Sequence, residues 1–102
     1  MKKSEGLAIA RSFKDAVCKR GYPVERVFLF GSVVRDEATD DSDIDVAVVC
    51  AEFMPSRLDE TLALWQARRP IDIRIEPLCL HPEDFANPLS IAREIERTGV
   101  EV

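Results

Sequence analysis

A small α/β (α+β) sandwich, with helices covering a mixed or parallel β-sheet, is expected for this chain on two grounds. Segments with helical period alternate with short apolar runs, and three of those runs have the length and composition of strands. The size agrees: 102 residues, 46% hydrophobic and 32% charged, are read as one globular domain over residues 1–102 with a core of its own.

Residues 4–20 carry Leu7, Ile9, Ala10, Phe13, Ala16 and Val17 at three- and four-residue spacing, with Ser4-Glu5 as a start signal and Gly21 and Pro23 as the stop. Val27-Phe28-Leu29-Phe30 is continuously apolar and closed by Gly31, the pattern of a strand buried on both faces. A second such run is Ile44 to Val49, and between the two lie one helical turn after Ser32 and a polar loop. Residues 56–68 start at Ser56, place Asp59 and Glu60 in the first turn and repeat Leu58, Leu62 and Trp65 on one face, expected to be the core face. Ile71 to Ile75 alternates Ile-Asp-Ile-Arg-Ile, which predicts a strand limited by Pro77. Asn87-Pro88 opens a last helix with Leu89, Ile91, Ala92 and Ile95, stopped by Gly99.

Composition excludes several function classes. No apolar run approaches the roughly 20 residues of a membrane span, and Arg11 interrupts the first apolar stretch, so neither a membrane protein nor a secretory signal is expected and a cytoplasmic location is. The 14 basic residues stand against 19 acidic ones, a formal net charge of −5, which argues against tight binding to a nucleic-acid backbone. Cys18, Cys50 and Cys79 lie far apart in apolar segments, and with His81 the single histidine no zinc-ligand spacing is visible. Buried free thiols are the expectation.

The chemistry concentrates in the carboxylates. Asp43 and Asp45, one residue apart on a strand, emerge on the same face and would repel each other unless a cation lies between them, so they are candidate ligands of one or two divalent metal ions. The plainer alternative makes Asp43 a loop cap and pairs Asp45 with Arg35 or Arg74. Asp72, at the start of the third strand, is the candidate third acid; otherwise it is an edge charge paired with Arg68 or Arg69. Three acids at one sheet edge can hold two magnesium ions for an in-line phosphoryl or nucleotidyl displacement, and one can accept the proton of the attacking hydroxyl. Gly31-Ser32, after a strand and before a helical turn, offers backbone N–H groups and a hydroxyl to a phosphate, although alone it is more often only a turn.

The stretch Phe30-Gly31-Ser32-Val33-Val34-Arg35-Asp36-Glu37-Ala38, continued by Ser42-Asp43-Ile44-Asp45-Val46, resembles the signature of the minimal nucleotidyltransferases of the DNA polymerase beta-like superfamily: Gly-Ser, ten residues, Asp-x-Asp. The resemblance implies a nucleotidyltransferase fold in which Gly31 and Ser32 contact the nucleoside triphosphate, Asp43 and Asp45 bind magnesium, Asp72 completes the catalytic and metal site, and Arg35 orients the motif or contacts phosphate. Asp36 stands where the family usually has glycine; aspartate tolerates a left-handed backbone, but it adds a negative charge near the triphosphate. Members of this type are commonly antitoxins paired with a helical HEPN ribonuclease, and some transfer AMP from ATP to a tyrosine of that toxin.

The resemblance therefore implies a magnesium-dependent enzyme that nucleotidylates a HEPN-type partner. The alternative is an inactive module that neutralises the partner by occlusion, and a less favoured one is an aminoglycoside nucleotidyltransferase, which would need additional substrate-binding segments. Phe53, Met54, Phe85 and Trp65 are candidates for a partner-facing patch, with Trp65 expected in the core instead; homo- or hetero-oligomers are both compatible with the sequence.

Overall fold

A computed structural model describes all residues, Met1–Val102. The first periodic segment is helix α1, Lys3–Lys19, whose buried residues Gly6, Ala10, Phe13 and Val17 form one stripe. Its N-cap is Lys2 with no side-chain cap, so Ser4 lies inside the first turn and does not start the helix. Strand β1, Val24–Phe30, begins before the apolar run, where Val24 and Arg26 pair with Cys50 and Val49 and the Arg26 guanidinium is held by Glu101 and Glu96. A single 3-10 turn, Gly31–Val33, follows, and strand β2 spans Ile44–Cys50.

Helix α2, Arg57–Ala67, starts as expected at Ser56, whose hydroxyl accepts from the Asp59 N–H. Its buried face is a different one from that expected: Glu60, Ala63, Leu64 and Ala67 point inward, while Leu58 and Leu62 are exposed and Trp65 is half-buried under the Arg68 guanidinium. Glu60 can lie in the core because its carboxylate accepts from the Phe53 N–H and bonds His81. These bonds, with the Met54 N–H, hold its carboxyl below the ordinary range against the upward push of burial.

The expected strand Ile71–Ile75 does not form. The N–H groups of Ile71 and Asp72 turn back onto the Arg68 carbonyl, Ile73 is exposed, and strand β3 runs instead from Ile75 to Leu80. Pro77 is tolerated inside it because β3 is a sheet edge. After a second 3-10 segment, Pro82–Ala86, helix α3 spans Ile91–Thr98. Its cap is Ser90, not Asn87, so Leu89 stays outside the helix and exposed. Gly99 ends α3 as expected, and the two-residue strand β4, Val100–Glu101, pairs with β1.

The sheet is mixed, in the order β3-β2-β1-β4, with β1 antiparallel to β2 and β4, and β2 parallel to β3 across α2. Its two faces carry separate cores. One packs Ala10, Phe13 and Val17 of α1 and Leu64 and Ala67 of α2 on Val27, Leu29, Val46, Val48 and Ile75. The other packs Ala92 and Ile95 of α3 on Phe28, Ala47, Val49 and Leu80. No helix is long and apolar enough to cross a membrane. Of the cysteines, Cys50 and Cys79 are buried and free, but Cys18 is exposed, because it lies on the outer side of α1 beside buried Val17.

Gly6 is where α1 presses on the turn after β1: a Cβ there would collide with Val33 Cγ1 and lie 3.3 Å from Leu29 Cδ2. Alanine normally gains about 1 kcal/mol over glycine inside a helix, whereas overpacking a stiff β-branched neighbour costs about 1–3 kcal/mol. Gly6→Ala should therefore lower the midpoint of urea unfolding; a raised midpoint would mean that α1 is not seated on this turn.

Candidate active site

Period two along the strands decides which side chains share the α3 face. It gathers Phe28 and Phe30 of β1, Asp45, Ala47 and Val49 of β2, and Glu76, Leu78 and Leu80 of β3. The short α3 covers the end with Ala47, Val49 and Leu80. At the other end Asp45 is half-buried and Asp43 and Glu76 are exposed. Asp45 is the centre of this end, opposite Phe30 of β1 and Glu76 of β3.

The Gly31 turn abuts the same carboxylate. Gly31 has φ +79°, the left-handed region that side chains avoid, and a Cβ there would fall on Asp45 Oδ2 and 3.0 Å from its Cγ. Both the backbone angle and the neighbour thus require glycine. Ser32 follows in the turn, partly exposed. Asp36 adopts φ 57°, so it takes the left-handed conformation that the resemblance assigns to glycine, as aspartate can.

The charges at this end act on one another. Burial raises the proton affinity of Asp45 and the Asp43 charge raises it further, with Arg35 opposing. Glu76 is raised by desolvation, then by the charge and hydrogen-bonding capacity of Asp43 and by Asp45, with Arg68 opposing. The Arg35 side chain is exposed and pairs with Glu37 at 3.1 Å.

Asp43, Asp45 and the Gly31-Ser32 turn therefore lie at one end of the sheet, with Arg35 acting on Asp45. Asp72 is not among the charges that act on Asp45 or Glu76. Its carboxylate is folded back on Arg74, accepting from the Arg74 N–H at 2.9 Å and from the guanidinium at 2.8 Å, and Arg74 holds it below the ordinary carboxylate range. The position beside Asp45 belongs to Glu76. Sequence reasoning passed over Glu76 because the alternating run before it absorbed the strand assignment; the available signal was one acid within Ile75-Glu76-Pro77-Leu78.

The carboxylates do not converge on a single point. The three-residue group whose ligand atoms all lie within 4.8 Å of one another is Cys50, Cys79 and His81, on the other face of the sheet. As oxygen donors whose charges act on one another, Asp43, Asp45 and Glu76 nevertheless suit a hard divalent cation, which would offset their repulsion.

The raised proton affinity of Asp45 fixes the sign of a pH effect. Its folded state holds the proton more tightly than the unfolded chain, so ionisation destabilises the fold above the ordinary carboxylate range and not below it. In chelator, Asp45→Asn should stabilise the protein at neutral pH by under about 1 kcal/mol after solvent screening. That gain should vanish by about pH 3, where folded and unfolded carboxyls are both protonated. Urea melts at both pH values check this, and a stability loss at neutral pH would refute it.

A family model described as nucleotidyltransferase domain matches residues 10–97. The fold is similar to the crystal structure of a nucleotidyltransferase candidate from Sulfolobus solfataricus, with a TM-score of 0.61 and 21% identity over 98% of this chain and 79% of that one. No curated protein matches the chain significantly. The match over most of the chain, through the glycine turn and the strand acids, shows that it belongs to the nucleotidyltransferase domain family.

Proposed function

We propose that this nucleotidyltransferase is magnesium-dependent and transfers AMP from ATP to a protein acceptor, a HEPN-type helical toxin for which the chain is the antitoxin. The observation that carries the catalytic part is the placing of Asp43, Asp45 and Glu76 on one open sheet end, with a side-chain-free turn against Asp45. The partner assignment rests on the resemblance of Gly31-Ser32, Arg35 and Asp43-x-Asp45 to the minimal nucleotidyltransferases.

A triphosphate approaching this end meets carboxylates, with Arg35 the cation that acts on Asp45. Two magnesium ions held by Asp43, Asp45 and Glu76 would neutralise the triphosphate and stabilise the charge developing on the attacking and leaving oxygens. The missing Cβ at Gly31 lets the turn lie against the Asp45 carboxylate, so that phosphates held by the Gly31-Ser32 backbone would be next to the metal-binding end. An acceptor hydroxyl oxygen bonds to the α-phosphorus, the bond to the β-phosphate oxygen breaks, and pyrophosphate leaves. Glu76, beside Asp45 at this end, is the carboxylate that would take the hydroxyl proton. Asp72 has no part in this scheme beyond holding Arg74 and the turn before β3.

Incubating the protein with magnesium, ATP and the helical protein that co-purifies from its native host, then reading intact masses, tests the proposal. The partner should gain the mass of one or more AMP groups. Asp43→Ala should abolish the gain, and a stable complex with no mass change would replace transfer by occlusion.

A second comparison separates the two candidates for the third acid. Glu76→Gln should lower kcat by about 10²-fold or more, whereas Asp72→Asn should keep kcat and lower stability by about 0.5–1 kcal/mol, the scale of a partly exposed ion pair. The reverse pattern would return the role to Asp72.

A further inference from the structure

Two thiols and an imidazole meet at the C-terminal ends of β2 and β3, on the α1/α2 face. Cys50 is the last residue of β2, Cys79 lies in β3 and His81 follows that strand. Their relative exposures are 0%, 3% and 7%. The two Sγ atoms are 3.9 Å apart, and both lie within 4.8 Å of a ring nitrogen of His81.

The imidazole is oriented. An arginine can only donate, so the Arg57 Nη2 contact at 2.9 Å marks Nδ1 as the ring nitrogen with the lone pair. Nε2 then carries the proton and donates to Glu60 Oε1 at 2.7 Å. Glu60 is itself wholly buried and fixed by the Phe53 N–H at 2.8 Å. A carboxylate that holds the far N–H of an imidazole is the usual support of a metal-ligating histidine, since it sets the tautomer and the ring plane.

The donor set chooses the class of ligand. Two sulfurs and one imidazole nitrogen favour a thiophilic cation over magnesium or calcium, which take oxygen. Sulfurs bound at about 2.3 Å to one tetrahedral zinc lie about 3.8 Å apart, close to the 3.9 Å observed. A disulfide would require them to close to about 2.05 Å.

We propose that Cys50, Cys79 and His81 form a binding site for a zinc-class divalent cation, separate from the carboxylate site, with Glu60 as the positioning residue behind His81. Both thiols lose their protons to solvent as their sulfurs coordinate, and Nδ1 gives its lone pair to the metal. Arg57, half-exposed and already paired with Asp84 at 2.9 Å, swings away from Nδ1. The bound ion ties β2 to β3 and, through Glu60, both strands to α2.

Cobalt(II) is the probe, added to the full-length, reduced protein in the absence of nucleotide. One equivalent should produce a thiolate-to-cobalt charge-transfer band that an equivalent of zinc bleaches. The band should survive Cys18→Ser and Asp45→Asn and disappear in Cys50→Ser and Cys79→Ser, with folding followed by circular dichroism. His81→Asn should weaken cobalt binding about 10-fold or more. Zinc should also raise the unfolding midpoint of the parent protein, a reading that needs no variant. Absence of the band at one equivalent would overturn the proposal, as would its survival in Cys50→Ser or its loss in Cys18→Ser, which would move the metal to the exposed thiol.

Discussion

Asp45 sits where two strand ladders cross, opposite Phe30 in the antiparallel pairing with β1 and opposite Glu76 in the parallel pairing with β3. The remaining features of the candidate site follow from this double register. A one-residue slip on either side would send Phe30 or Glu76 to the other face of the sheet, because side chains alternate with period two. The register itself is held by the apolar side chains of β2: Val46 and Val48 on one face, Ala47 and Val49 on the other, all buried under helices. A one-residue slip would exchange the Val46/Val48 and Ala47/Val49 sets between two cores of different shape, so close packing on both faces holds the register. The stability of the core and the placing of the carboxylates are therefore one constraint.

The same strand brings two unlike donor sets to opposite faces. Asp45 lies near its start with oxygen donors around it, and Cys50 ends it among sulfur and nitrogen donors. Five residues of strand separate them by about 16 Å at about 3.3 Å per residue, and the sheet lies between. Oxygen donors and sulfur–nitrogen donors are thus kept apart by the geometry of one strand. Glu60 is the residue that makes the second arrangement affordable, since an ionised carboxylate inside the α1/α2 core is tolerated only with its hydrogen bonds complete.

Helix α2 and the segment after it show why some assignments made from local pattern fail. Leu58, Leu62 and Trp65 have the spacing of a core face, but so do Glu60, Ala63, Leu64 and Ala67. Small residues let α2 approach the sheet closely, and the partners that make Glu60 acceptable there, Phe53 and His81, lie outside the helix. The Ile71–Ile75 alternation satisfies the strand template equally well. It loses because the Arg68 carbonyl captures the Ile71 and Asp72 N–H groups and Asp72 caps its own turn onto Arg74, local bonds that compete with a ladder.

What the sequence determined by itself is whatever a short stretch of chain can encode: α1, the apolar strands β1 and β2, the glycine turn, and the charge of Asp43 acting on Asp45. Those features depend on residues within a few positions of one another and on a family signature spanning Phe30 to Val46. The tertiary structure alone decided that Glu76 and not Asp72 stands beside Asp45, and that Cys50, Cys79 and His81 come together. Both outcomes depend on the β2/β3 pairing, in which residues about thirty positions apart become neighbours. A single strand's pattern carries its faces but not its partner's register, which is set by how two buried cores fill at once.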